Sequence, residues 1–149
     1  MPPWFNNVFR DVTMNNNGLA IILHSGSFDR LYHALSLALT AAAMGRESRC
    51  FITYWALEYF RKTDRAEFNL DREGETHKDI LEENIRKGHI HKISAFITEA
   101  KNMGVKLYAC TASMGLLNIS RNELTDEIDM SMGITTFLNE AANDQILFI

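Results

Sequence analysis

The sequence predicts an α/β protein: three layers, α/β/α, around a mostly parallel sheet of about five strands. Three observations point there. Short runs of apolar and β-branched residues recur at 19–23, 51–54, 105–109, 127–130 and 145–149. Between most of them stands a longer stretch with apolar residues at helical spacing. Glycines come after two of those stretches, at Gly45 and Gly104, where a left-handed cap ends a helix. Strands that alternate with helices make a parallel sheet covered on both faces.

Residues 1–17 form an N-terminal segment with Trp4, Phe5, Val8, Phe9 and Val12 at helical spacing, ending in the turn Asn15-Asn16-Asn17-Gly18. Two readings stand: a short helix docked on its own domain, or an arm packed on a neighbouring subunit. Residues 18–149 form one domain. Leu19-Ala20-Ile21-Ile22-Leu23 is uninterruptedly apolar, as suits a strand buried on both faces. Residues 29–44 form a helix whose polar stripe is only His33, Ser36 and Thr40, so it contacts more than one layer, a subunit interface included. Phe51-Ile52-Thr53-Tyr54 has the β-formers of a second strand. A charged excursion at 61–90 comes next. The window 61–87 holds 15 of the chain's 34 charges, 7 positive and 8 negative, a balance that suits a solvated surface rather than a binding tail. Residues 78–86 and 91–103 read as helices. Val105 to Ala109 reads as the third strand, residues 113–118 as a short helix, 127–130 as a fourth strand, 133–142 as a helix and 145–149 as the last strand.

Length and charge exclude several classes. A chain of 149 residues is one domain's worth and buries enough surface to hold a core unaided. Net charge is −4, so no basic excess exists to neutralise phosphates, and nucleic acid is not an expected partner. The longest nearly apolar stretch, 34–44, is too short to span a bilayer, and the start lacks signal-peptide regions, so no membrane association is expected. Two cysteines 60 residues apart form no metal pair or redox motif, and the thiols suit a reducing, cytoplasmic setting. There is no GxGxxG, Walker or GxSxG sequence, so no cofactor is implied and serine catalysis has little support.

Ligands of parallel sheets bind beyond the carboxyl ends of the strands. That edge collects His24, Ser25, Gly26 and Ser27 after the first strand and Tyr54-Trp55 after the second. It also collects Cys110, Thr111, Ala112, Ser113 and Met114 after the third, and Met130 to Gly133 after the fourth. Cys50 stands at the amino end of its strand and reads as a buried apolar residue. Cys110 stands between a strand and a helix start, where unpaired N–H groups and the helix dipole favour a thiolate. Thiols in such settings are expected to react as nucleophiles more readily than buried ones. His24 either orients that thiol or bonds a loop carbonyl. The loop His24-Ser25-Gly26-Ser27 either cradles an anion or is a tight turn with Ser27 or Asp29 as helix cap. Met130 and Met132 are core filler or walls of a sulfur-friendly pocket.

Four blocks in this order, Ser25-Gly26-Ser27-Phe28-Asp29-Arg30, Ala41-Ala42-Ala43-Met44-Gly45, Phe51-Ile52-Thr53-Tyr54-Trp55-Ala56-Leu57 and Ala109-Cys110-Thr111-Ala112-Ser113-Met114, resemble the DsrE/DsrF-like family. The likeness is strongest to its peroxiredoxin-like DsrE subgroup. It spans about residues 18–149 apart from the charged excursion. It implies a compact α/β/α domain assembled as a homo-oligomer, a trimer or hexamer. It implies a sulfur carrier or sulfurtransferase in which Cys110 holds sulfur as a persulfide, between a donor and an acceptor protein. His24, Ser25, Gly26, Trp55, Thr111, Ser113 and Met114 are the candidate substrate-binding residues around it, on their position alone. The sequence departs from the subgroup pattern at Ala56 and Asn118, where glycine is usual. The alternative is a non-catalytic oligomeric module that binds a small ligand or anion in the same crevice.

Overall fold

A computed structural model describes residues 17–149. The N-terminal segment therefore lies, but for Asn17, outside the described residues. The apolar run Leu19–Leu23 forms β1, and four more strands join it: β2 (Ser48–Ile52), β3 (Lys106–Cys110), β4 (Met130–Met132) and β5 (Gln145–Phe148). All pair in parallel, in the order β4-β3-β2-β1-β5. Helix α1 (Phe28–Ala43) links β1 to β2. The link from β2 to β3 carries α2 (Lys78–Arg86) and α3 (Ile93–Asn102). A six-residue α4 (Thr111–Leu116) comes directly after β3, and α5 (Ile134–Glu140) links β4 to β5. The fold is thus the three-layer α/β/α arrangement expected, with the five-stranded sheet parallel throughout.

Crossovers between parallel strands are right-handed. The steps β1→β2→β3 run one way across the sheet and place α1 and α3 together on one face. The return from β4 to β5 runs the other way and places α5 on the opposite face. The two faces are unequally covered. Behind α1 and α3 lies the larger core, with Ile21, Leu23, Cys50, Ile52, Leu107 and Ala109 from the strands. Under α5 lies a smaller cluster of Ala20, Phe51, Tyr108, Cys110, Met132, Phe137 and Ala141. Phe51 and Phe137 stack there with ring centres 4.5 Å apart.

Strand boundaries depart most from the sequence expectation at β2 and β4, while β3 (Lys106–Cys110) runs one residue later than expected and so ends on Cys110. β2 starts at Ser48 rather than Phe51, with Arg49 inside it held by the nearby Glu47 and by Asp144 and Glu140 from far along the chain. Its guanidinium lies 2.6 Å from Glu47 and 2.8 Å from Asp144, and Nη1 donates to the Glu140 carbonyl at 3.2 Å. Cys50 accordingly sits in the middle of β2, not at its amino end. β4 comprises Met130–Met132 rather than residues 127–130. Asp129 just before it engages β3 twice, its N–H donating to the Leu107 carbonyl at 2.8 Å and its carboxylate accepting the Leu107 N–H at 2.8 Å, while the Lys101 ammonium reaches the same carboxylate at 2.5 Å. Met130 to Met132 are therefore strand residues, and the turn out of the strand begins at Gly133.

The charged excursion is tied back to the domain. Phe68 packs edge-on against Phe28 at 4.9 Å, the Phe28 N–H donates to the Asn69 carbonyl at 2.6 Å, and Arg61 pairs with Glu123 at 3.1 Å. Helix α2 within it buries no residue, which fits the solvated surface that balanced charge suggests. Among the described residues no helix is long and apolar enough to cross a membrane.

Candidate functional site

Cys110 ends β3 and is the residue that caps the amino end of α4, with φ −73° and ψ 116°. The strand leads straight into the helix, so the thiol stands where the sheet stops and the helix begins. The alternation of β3 turns Cys110 and Tyr108 to the α5 face and Leu107 and Ala109 to the other. Met132 is its register partner on β4, and both lie in the small apolar cluster. Cys110 retains 6% exposure, whereas Cys50 has none. Burial pushes the Cys50 thiol up from the ordinary 9.0 to about 12, which keeps it protonated and inert.

Helix α4 gives Cys110 its closest polar neighbours in sequence. Thr111 and Ala112 are exposed. Ser113 is buried to 1%, and its hydroxyl makes no hydrogen bond among the described residues. Three residues on from the cap, it shares the helix side of Cys110. Met114, nearly buried, packs in the larger core on the other side of the sheet. A Cβ on Gly133 would stand 3.9 Å from the Thr111 hydroxyl, so the start of α5 abuts the start of α4.

The neighbouring strand carries the aromatic part of the edge. Ile52 pairs with Ala109, and β2 runs on into a 3₁₀ segment, Tyr54–Phe60, that packs against α4. Tyr54 has φ +43°, a left-handed conformation rarely taken by an aromatic residue. This turn ends β2 earlier than its β-forming residues predict. It also leaves Trp55 54% exposed at the mouth. Gly26 is needed beside it, since a Cβ there would lie 2.8 Å from the Trp55 Cβ. Tyr59, a residue that the sequence alone does not single out, locks this arrangement. Its hydroxyl donates to the Gly26 carbonyl at 2.8 Å and accepts the Asn69 N–H at 3.3 Å, and burial raises its pKa to about 12. Its only local signal is membership of an aromatic run after a strand, and its partners are ten and thirty-three residues away.

His24 stands farther off. The strand order puts β2 between β1 and β3, so His24 and Cys110 are two strand spacings apart, about 10 Å. The His24 ring instead packs on Tyr54 at 4.8 Å and Phe148 at 5.6 Å. The amides of its loop are largely engaged. His24 and Ser25 both donate to the Ile149 carbonyl, at 2.8 and 3.3 Å, and Ser27 donates to the Ser25 hydroxyl at 3.1 Å. Ser27 occupies the cap position of α1, but its hydroxyl donates to the Asp29 carboxylate rather than to the helix. That loop has little left to offer an anion. Among the described residues no cluster of three or more metal-binding side chains occurs.

Asn118, at one departure from the expected pattern, has φ +53°. A left-handed position explains why glycine is usual there, and asparagine is the side chain that tolerates it best.

Comparison with known proteins agrees with this geometry. A solved structure of MTH1491, a protein of unknown function from Methanobacterium thermoautotrophicum, superposes with a TM-score of 0.60 at 10% identity, over 89% of this chain and 99% of that one, which is a likeness of fold. The uncharacterized protein YrkE of Bacillus subtilis (strain 168) is 28% identical over 161 aligned positions, covering 93% of this chain and 100% of that protein. The model of the DsrE/DsrF/DrsH-like family matches residues 15–78 and 70–149, nearly the whole length. With the parallel sheet and the cysteine at its carboxyl edge, the chain belongs to the DsrE/DsrF/DrsH-like family.

Proposed function

We propose that the protein relays sulfane sulfur through Cys110, as a sulfur carrier or sulfurtransferase. The observation that carries the reading is the position of Cys110: strand end, helix start, buried but for 6% of its surface, in a family associated with sulfur relay. The chemistry needs one thiolate. Cys110–S⁻ attacks the outer sulfur of a donor persulfide, R–S–SH; the donor's S–S bond breaks, R–S⁻ leaves, and Cys110–S–SH forms. An acceptor thiolate then attacks the outer sulfur of Cys110–S–SH and releases Cys110–S⁻. No net oxidation occurs in either step.

Around that thiol, backbone N–H groups of Thr111 and Ser113 stand at a helix start, where they lack intrahelical acceptors and suit a sulfur anion. The buried, unpartnered Ser113 hydroxyl is a further donor. Met132 offers a polarizable wall, and Met114 holds α4 to the core. Trp55 forms one rim of the mouth. His24 lies too far along the edge to take the thiol proton directly, so its role is in the rim, with Ser25 and Gly26 behind Trp55. Donor and acceptor are proteins presenting a persulfide and a thiol, and we place the protein in the cytoplasm as a homo-oligomer, a trimer or hexamer. The other reading, a module that binds an anion in the His24–Ser27 loop, is weakened by the internal engagement of that loop's amides.

Intact mass spectrometry after incubation with a persulfide donor tests the proposal. Wild type and Cys50→Ala gain the mass of one sulfur, removable by reductant, and Cys110→Ser gains none. Equal uptake by Cys110→Ser would overturn it.

A further inference from the structure

Strand β5 is an edge of the sheet, and among the described residues it pairs with β1 alone. Natural edge strands are commonly guarded by charge or proline, yet Gln145-Ile146-Leu147-Phe148 carries neither. Its register pairs Ala20 with Ile146 and Ile22 with Phe148, while Leu147 packs on the larger core. Ile146 and Phe148 therefore face the same side as α5. Helix α5 lies over β2 and β3, through Phe137 on Phe51 and Glu140 against Arg49 and Tyr108. Its right-handed turn puts Ile134 and Leu138, one turn apart, on the flank toward β1 and β5. Ile134 is 57% exposed, Leu138 and Ile146 are 44% exposed, and Phe148 is 70% exposed.

These four side chains expose on the order of 400 Å² of apolar surface, the size of patch that marks an interaction site. A standard interface buries about 800 Å² on each partner, so the four make its apolar core, with exposed polar neighbours such as Thr135 and Gln145 as its rim. The charges nearby are turned away or engaged. Glu140 lies on the opposite flank of α5, Asp144 is held by Arg49, and Arg46 donates to the Asn17 and Gly18 carbonyls at the amino corner. Electrostatics points to the occupant. A two-fold contact sets a surface against a copy of itself, so any charge on it meets its like. An uncharged apolar strip escapes that repulsion, and a second β5 matches the open strand edge in length and chemistry.

We propose that this strip binds a second copy of the chain about a two-fold axis, through Ile134, Leu138, Ile146 and Phe148 of each. The inference rests on the homo-oligomer reading above and adds to it the surface and an even number of chains. A hexamer built from two trimers contains such a contact, and a lone trimer does not. Cys110, on β3, lies three strand spacings or about 14 Å from β5, so the sulfur site stays outside the contact.

Sedimentation equilibrium of the full-length protein tests it. Wild type is expected at an even multiple of the chain mass. Leu138→Glu with Ile146→Glu is expected at half the wild-type mass, its pairing weakened at least about a hundredfold by like charges set against each other. Leu138→Arg, on the exposed flank of α5, repeats the test without altering the sheet, so a misfolded double variant does not decide the outcome. A monomeric wild type would overturn the homo-oligomer reading and this inference together. An odd-numbered assembly, or an even-numbered one whose Leu138→Arg variant keeps the wild-type mass, would overturn this inference and leave that reading standing.

Discussion

Cys50 and Cys110 stand on adjacent parallel strands, and three residues of register separate them, since Cys50 pairs with Leu107. Those three steps change everything about the thiol. An odd number of steps turns Cys110 to the opposite face of the sheet, away from the larger core that encloses Cys50. The same steps carry it from mid-strand to the strand's last residue, where backbone pairing gives way to a helix start. Cys50 is sealed and held protonated, with a pKa of about 12. Cys110 is buried too, but 6% of its surface reaches water. Full burial of one thiol and the residual exposure of the other come from where each meets the sheet, not from any difference in the residue.

The contrast breaks most visibly under alkylation. At pH 8 a thiol of pKa about 12 is thiolate in roughly one molecule in 10⁴, and Cys50 must also await an opening of the fold. Iodoacetamide followed by peptide mass analysis is therefore expected to label Cys110 at least about a hundredfold faster than Cys50 in native protein. Near-equal rates would erase the distinction. Serine substitution gives a smaller, opposite contrast. A hydroxyl at position 50 has no partner in an apolar core and costs about 1–3 kcal/mol in urea unfolding. At position 110 it stands at a helix cap, where serine is favoured, and costs less than about 1 kcal/mol. The smallest effect is in alkali. The folded pKa of Cys50 lies above its ordinary value, so its contribution to stability is intact below pH 9 and is lost as pH climbs from 9 towards 12. Tyr59 and Tyr108, raised from 10.0 to about 12 chiefly by burial, add to the same decline above pH 10. Melting temperatures across this range should fall less steeply in Cys50→Ala than in wild type.

Local pattern carried the layers and the cysteine but not the company the cysteine keeps. The apolar run of β1 and the spacing of Ile93, Phe96, Ile97 and Ala100 in α3 are complete in a few residues, and both elements form where the pattern puts them. β2 begins three residues early, and the Asp144 that pairs with its Arg49 stands ninety-five positions later, where no local pattern records it. β4 is three residues long, too short for a period to declare itself. The separation of His24 from Cys110 is a matter of strand order, which depends on which way the chain crosses the sheet. The left-handed turn at Tyr54 is equally nonlocal, since Gly26 and Tyr59 make room for it and hold it.

The Arg49 cluster has a mechanical consequence. Its guanidinium, 12% exposed, binds β2 to the end of α5 and to the approach to β5, all at the amino end of the strands. Among the described residues no ion pair ties Trp55, Cys110 and Gly133 together at the other end. The Arg49 ion pairs thus gather at the amino end of the sheet, while the carboxyl end is held by hydrogen bonds such as those of Tyr59 to Gly26 and of His24 to Ile149. Opening the sheet beside the thiol would therefore leave the Arg49 cluster intact.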